Sequence, residues 1–146
     1  MLSKLSRAFM QKMSIKTRRL YVDHIFEKGK DVYDKPFKTY SKVYGKAKRS
    51  NKIKRQSTAY ANRVTPVLTG DLKNDAKPFA TSNSFGVRFA SQGGKIQELA
   101  NMNPKRVLSA QNQPFPQKLI DTIEGDIQKE VDKQFKNTKS KTILGK

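Results

Sequence analysis

Apolar residues recur every four positions over one long stretch: Leu119, Ile123, Ile127, Val131 and Phe135, with Ile120 widening the stripe and acids on the other side. That period predicts an amphipathic helix opening around Pro116, an acceptable first-turn residue, and fading at Lys136-Asn137. Near the start of the chain Leu5, Phe9, Met13, Leu20 and Ile25 recur at looser helical intervals with basic residues between them. They predict a helix from Ser3 to about Glu27, with Ser14 as a point of interruption and Gly29 as its stop. Between these two helices the pattern changes. Val87 and Phe89 alternate with Gly86, Arg88 and Ala90, so Phe79 to Ser91 reads as two strands joined by Ser82-Asn83-Ser84. Gly93-Gly94 then opens a short helix, Lys95 to Met102, stopped by Asn103-Pro104.

The remaining segments are less regular. Tyr33, Phe37, Tyr40 and Tyr44 are spaced to share one side of a helix, which Pro36 confines to starting there. Lys46 to Gln56 is almost wholly polar and reads as an exposed loop. Thr65 to Asp71 combines a proline with a glycine and predicts a turn into a short element. Residues 138–146 read as a flexible basic tail. The chain divides into a basic N-terminal helix or arm over 1–28, a single domain over 29–137, and that tail. The first 28 residues are expected to be mobile in a free monomer, because a charged helix without a partner buries too little to offset its ordering entropy.

Composition narrows the class. At 146 residues the chain is long enough to bury a core, but 35% apolar content and a mean hydropathy of −0.79 predict a modest one. A net charge of +19 repels itself, and a compact subunit carrying it needs counter-charge from a partner. The absence of cysteine removes disulfides, thiolate catalysis and cysteine-based metal sites together. No apolar stretch approaches the length of a membrane span, so no membrane partner is expected. The first 22 residues, basic, serine-containing and free of acid, have the composition of an organellar transit peptide. Since the rest of the chain is equally basic, an amphipathic helix at the start of the mature chain is the preferred reading.

The charge is unevenly spread. Residues 1–63 hold 18 Lys/Arg against 4 acids, whereas residues 116–135 hold 3 against 5. A subunit that is basic at one end and mildly acidic along its last helix favours heterologous contacts between unlike faces, which close into rings. The densest positive run is Lys42, Lys46, Lys48, Arg49, Lys52, Lys54 and Arg55, beside Tyr40 and Tyr44. Basic residues interleaved with rings are suited to a phosphate backbone without sequence choice, or to an acidic protein surface; both readings stand.

Catalytic chemistry has little to build on. The one histidine, His24, sits inside a predicted helix with no recognisable nucleophile turn elsewhere. Gly93-Gly94-Lys95 lacks the spacing and following hydroxyl of a phosphate-binding loop. Asp71-Leu72-Lys73, with Asp75 and Glu98, can be drawn as a metal-dependent nuclease site, but short acid-x-Lys triplets are common in charged proteins. The expectation is a non-enzyme with no cofactor and no metal.

Asp31-Val32-Tyr33-Asp34-Lys35-Pro36-Phe37, then Tyr40-Ser41 and Tyr44, a basic stretch, and the turn Leu68-Thr69-Gly70-Asp71-Leu72 resemble the small tail-completion and head-to-tail joining proteins of tailed bacteriophages. Gly94-Lys95-Ile96-Gln97 and Gln113-Pro114-Phe115-Pro116 resemble the C-terminal half of that family, so the likeness spans about residues 29–135. Two positions depart from the pattern: Asp34 stands where a glycine is common, and the N-terminal basic helix is stronger than the pattern requires.

The resemblance implies an α+β fold, a small antiparallel sheet flanked by an N-terminal helix and a long C-terminal amphipathic helix, with a basic loop or extension. It also implies a structural virion protein, assembled in the host cytoplasm as a homo-oligomeric ring in the neck. The partners would be portal, connector or tail proteins, with non-specific contact to packaged DNA. Leu68 and Leu72 would anchor the turn in the core and Gly70 would permit its backbone geometry. The competing reading is a non-specific nucleic-acid-binding structural protein of ribosomal type.

Overall fold

The structure, a computed structural model, describes residues 5–39, 42–50, 70–102 and 105–143. Its elements are α1 (Arg7–Val22), a π turn (Asp23–Glu27), α2 (Lys42–Arg49), α3 (Asp71–Asp75), β1 (Ala76–Ala80), β2 (Phe85–Phe89), α4 (Gly93–Asn101) and α5 (Gln117–Ile143). This is the expected α+β class: an N-terminal helix, a two-stranded antiparallel sheet and a long C-terminal helix.

Helix α1 starts where Ser6 accepts a hydrogen bond from the Phe9 amide, a serine N-cap. Its buried positions Met10, Met13, Thr17 and Tyr21 advance by three or four residues, and Ser14 and Val22 widen the stripe. Two of them are hydroxyl residues, made tolerable in the core by bonds to the helix itself: Ser14 Oγ donates to the Gln11 carbonyl and Thr17 Oγ1 to the Met13 carbonyl, both at 2.7 Å. The expected interruption at Ser14 does not occur. Instead the helix widens into a π turn at its C-terminal end, and Ile25 and Phe26 within that turn are both fully enclosed. Gly29, in the left-handed region at φ 67°, follows as the stop.

Helix α1 lies across both strands and also packs on α5. Residues 7–28 are therefore the spine of the core rather than an arm. Against the expectation of a mobile N-terminal segment stands the burial of Met10, Met13, Tyr21, Val22, Ile25 and Phe26 against the rest of the chain, which amide exchange can weigh.

The strands pair in the register Ala76↔Phe89, Pro78↔Val87 and Ala80↔Phe85. The hairpin is the one expected between residues 79 and 91, except that its first strand begins three residues earlier, at Ala76. The ring of Phe79 lies over Gly86 across the pair; a Cβ added there would come within 3.0 Å of it. Arg18 Nε donates to the Ala76 carbonyl at 2.8 Å and pins the start of β1 to α1.

The connection from α4 to α5 closes the core. Leu108 is fully buried, and its carbonyl accepts the Tyr21 hydroxyl at 2.7 Å. Around Tyr21, the rings of Phe26, Phe89 and Phe115 are all edge-on, with centroids at 6.4, 6.3 and 5.7 Å. Phe115 stands between Pro114 and the buried Pro116, and α5 begins at Gln117. Leu119 and Ile123 enter the core and Ile127 packs partly against it, whereas Phe135 is 59% exposed. Helix α5 continues to Ile143, past the expected end at residue 137, so most of the expected flexible tail is helical. At 27 residues it is about 40 Å long, and its apolar stripe is buried over only the first half.

Candidate basic interface

The helix that the aromatic spacing predicts from Pro36 does not begin there: residues 36–39 are not helical, and of the four rings only Tyr44 lies on a described helix. Lys30 and Pro36 form an isolated β-bridge, and the Phe37 amide donates to the Gly29 carbonyl at 3.0 Å, closing a tight loop. Asp31 organises it: its Oδ1 accepts the amides of Tyr33 and Lys35, both at 2.9 Å. A proline at 36 has no amide to spend on a helix, and the local side-chain bonds outcompete the helical period. Only Phe37 among the rings is buried; Tyr33 and Tyr44 are partly exposed, and Tyr40 lies outside the described residues.

Asp34 adopts φ 64°, a left-handed conformation that glycine takes at no steric cost. Aspartate tolerates this geometry, and its carboxylate meets Lys30 Nζ at 3.2 Å and Lys118 Nζ at 3.7 Å. The Lys30 hydrogen bond, before the other nearby charges, holds the Asp34 carboxyl below its usual range. His24 lies beside this loop with Nε2 2.9 Å from the Asp31 carbonyl.

The basic run is a helix over its first part, not the loop expected from Lys46 onward. α2 carries Lys42, Lys46, Lys48 and Arg49. These do not form one contact surface. Lys46 and Arg49 are exposed, whereas Lys48 is 1% exposed and sits on the inward side with Gly45. Burial, and then the charge of Arg106, push its ammonium down to about 8. Lys48 is therefore corrected from a contact residue to an interior one. The physical reason is the helical period: three residues separate Gly45 and Lys48, which puts both on the side facing the body. Lys52, Lys54 and Arg55 lie outside the described residues.

Arg106 is the residue that charge counting missed. It is buried, its guanidinium lies 5.9 Å above the centre of the Phe37 ring, and Nη2 donates to the Lys38 carbonyl at 3.4 Å. It follows Lys105, well outside the dense basic run, and that pair gave no signal. Val43 on α2 was missed too: it is 82% exposed, an apolar side chain presented beside Lys46.

The expected turn is present in its described part. Gly70 has φ 92°, Asp71 begins α3, and Leu72 is buried; Leu68 and Thr69 lie outside the described residues. Of the side chains that can be drawn as a nuclease site, Lys73 and Asp75 make structural contacts. Lys73 Nζ pairs with Glu27 of the π turn. Asp75 accepts the amides of Ser91 and Gln92 and the Ser91 hydroxyl, at 2.8–3.1 Å, joining the start of β1 to the turn before α4. Those bonds, the Gln92 amide foremost, lower the Asp75 carboxyl from its ordinary value. Among the described residues no three of His, Cys, Asp and Glu gather into a group that could hold a metal ion, and no helix is long and apolar enough to cross a membrane.

On the sheet side an open cleft of about 450 Å³ lies between β2, α4 and the loop before α5, lined mainly by Phe79, Phe85, Val87, Phe89, Ile96 and Phe115. No family model, curated protein or solved structure matches this chain.

Proposed function

We propose that this chain is a structural subunit of a tailed-bacteriophage neck, forming a ring that completes the connector or tail end and joins head to tail around the DNA channel. The observation that supports this most is the order in which the elements implied by the resemblance are packed. A Gly-Asp turn with a left-handed glycine leads through a short helix into the hairpin, and a Pro-Phe-Pro segment leads into the long last helix. The exposed remainder agrees with an assembly role. A +19 subunit with Val43 and Phe135 exposed on opposite parts of its sequence is poorly suited to standing alone. Its surplus of positive charge suits a wall around packaged DNA, with phosphates contacted without sequence choice.

The test is the mass of the full chain in solution at moderate and high salt, with and without DNA, followed by assembly in infected cells lacking the protein. A discrete nucleic-acid-free oligomer, or a monomer that joins rings only on connectors, is the expected result, together with unjoined heads and tails in its absence. A monomer that binds DNA or RNA with a steep salt dependence, never forms a ring and leaves head-to-tail joining intact would overturn the proposal in favour of a nucleic-acid-binding protein.

A further inference from the structure

The solvent side of α5 is sorted by charge. At 3.6 residues per turn, Asp121, Glu124, Gln128, Asp132 and Phe135 fall within about 80° of arc, all exposed. Lys118, Lys129, Lys133 and Lys136 occupy the adjacent arc, so that between Asp121 and Phe135 the first carries no positive charge. One helix in a strongly basic molecule thus carries an acidic strip ending in an exposed phenylalanine. At the boundary between the two arcs stands Gly125, mid-helix, with nothing within 4 Å of where its Cβ would be. Glycine is the poorest ordinary residue for a helix interior, and among the described residues no contact requires one here. Helix α2 offers the complementary surface: exposed Lys46 and Arg49 beside Val43.

We propose that the outward face of α2 in one copy docks on the acidic strip of α5 in the next, with Lys46 and Arg49 against Glu124 and Asp132. Val43 meets Phe135, and Gly125 allows the neighbouring backbone to approach closely. Because the two faces differ, each copy uses one and offers the other, which is the contact that propagates and closes into a ring. The inference rests on the ring proposed above and specifies which faces build it.

The chain has no cysteine, so cross-linking can be addressed cleanly in full-length protein. A Val43→Cys copy mixed with a Phe135→Cys copy should give a disulfide-linked pair under mild oxidation, and neither alone should. The reversal Lys46→Glu with Arg49→Glu should weaken association about tenfold, as should Glu124→Lys with Asp132→Lys, and mixing the two reversed proteins should restore it. Gly125→Ala should raise the melting temperature of the dissociated subunit while weakening assembly. If the wild-type chain forms a closed ring that both reversals leave unchanged, or each cysteine variant links only with itself, the α2–α5 contact is wrong and the ring stands. Were the reversals to lower DNA affinity without touching the oligomer, α2 would be a DNA surface and this proposal would fall. A wild-type chain that never associates, alone or on connectors, would remove both proposals together.

Discussion

Replacing Lys48 by methionine should stabilise the protein at neutral pH. The side chain keeps its length and loses a charge that the fold holds in an unfavourable place, 1% exposed and beside Arg106. In the folded chain the ammonium titrates at about 8 instead of 10.5. Between those values the unfolded chain binds more protons than the folded one, so the wild type gains stability as pH rises from 8 to 10.5. Below pH 8 the cost is fully present. At roughly 1.4 kcal/mol per unit the ceiling is about 3 kcal/mol, and solvent screening near a surface helix reduces the expected gain to about 1–2 kcal/mol. The assay is urea denaturation of variant and wild type at pH 7 and pH 10 and matched ionic strength. With a slope of about 2 kcal/mol per molar, the midpoint should rise by roughly 0.5–1 M at pH 7, and most of the difference should be gone at pH 10. A loss of stability at pH 7, or a difference of the same size at both pH values, would refute the reasoning. Lys46→Met is the control, because it removes the same charge from the surface.

Four further outcomes are expected. Tyr21→Phe should cost about 1–3 kcal/mol, since the Leu108 carbonyl loses its buried donor while the ring cluster persists; a denaturation midpoint equal to wild type would contradict the packing. Gly70→Ala should cost about 1–2 kcal/mol by forcing a Cβ into left-handed backbone at φ 92°, measured by the same denaturation. Asp75→Asn should speed amide exchange at Ser91 and Gln92 selectively, leaving the α1 amides unaffected. In the wild type, the amides of Tyr21, Val22 and Ile25 should exchange as slowly as any in the protein, whereas exchange as fast as in a peptide would mean that α1 is not the spine of the free subunit.

The parts of the fold that sequence made legible are those with an unbroken period. The stripe from Leu119 to Phe135 identified α5, and the alternation around Val87 identified the hairpin. The start of β1 was invisible because Ala76-Lys77-Pro78 has no strand preference of its own; pairing with Phe89, Arg88 and Val87 places it there. Helix α1 was underrated for a related reason. Ser14 and Thr17 count as polar in any pattern, yet their hydroxyls are satisfied by the helix backbone and their remaining atoms enter the core. The candidate site suffered from reading composition without geometry. Seven basic residues in a row of fourteen suggested one surface, and only the helical turn at Gly45 and Lys48 separates the inward lysine from the outward ones.

Pro78 has a consequence for the life of the subunit before assembly. Among the described residues β1 and β2 pair only with each other, so each has an outer edge of the kind that recruits stray strands. In an antiparallel ladder only alternate pairs exchange backbone bonds, and Pro78, opposite Val87, fits without loss where its nitrogen turns away from β2. The outer edge of β1 is then missing a donor at its central position, and uncontrolled fibre growth through that edge is blunted while the chain waits for its proper neighbours.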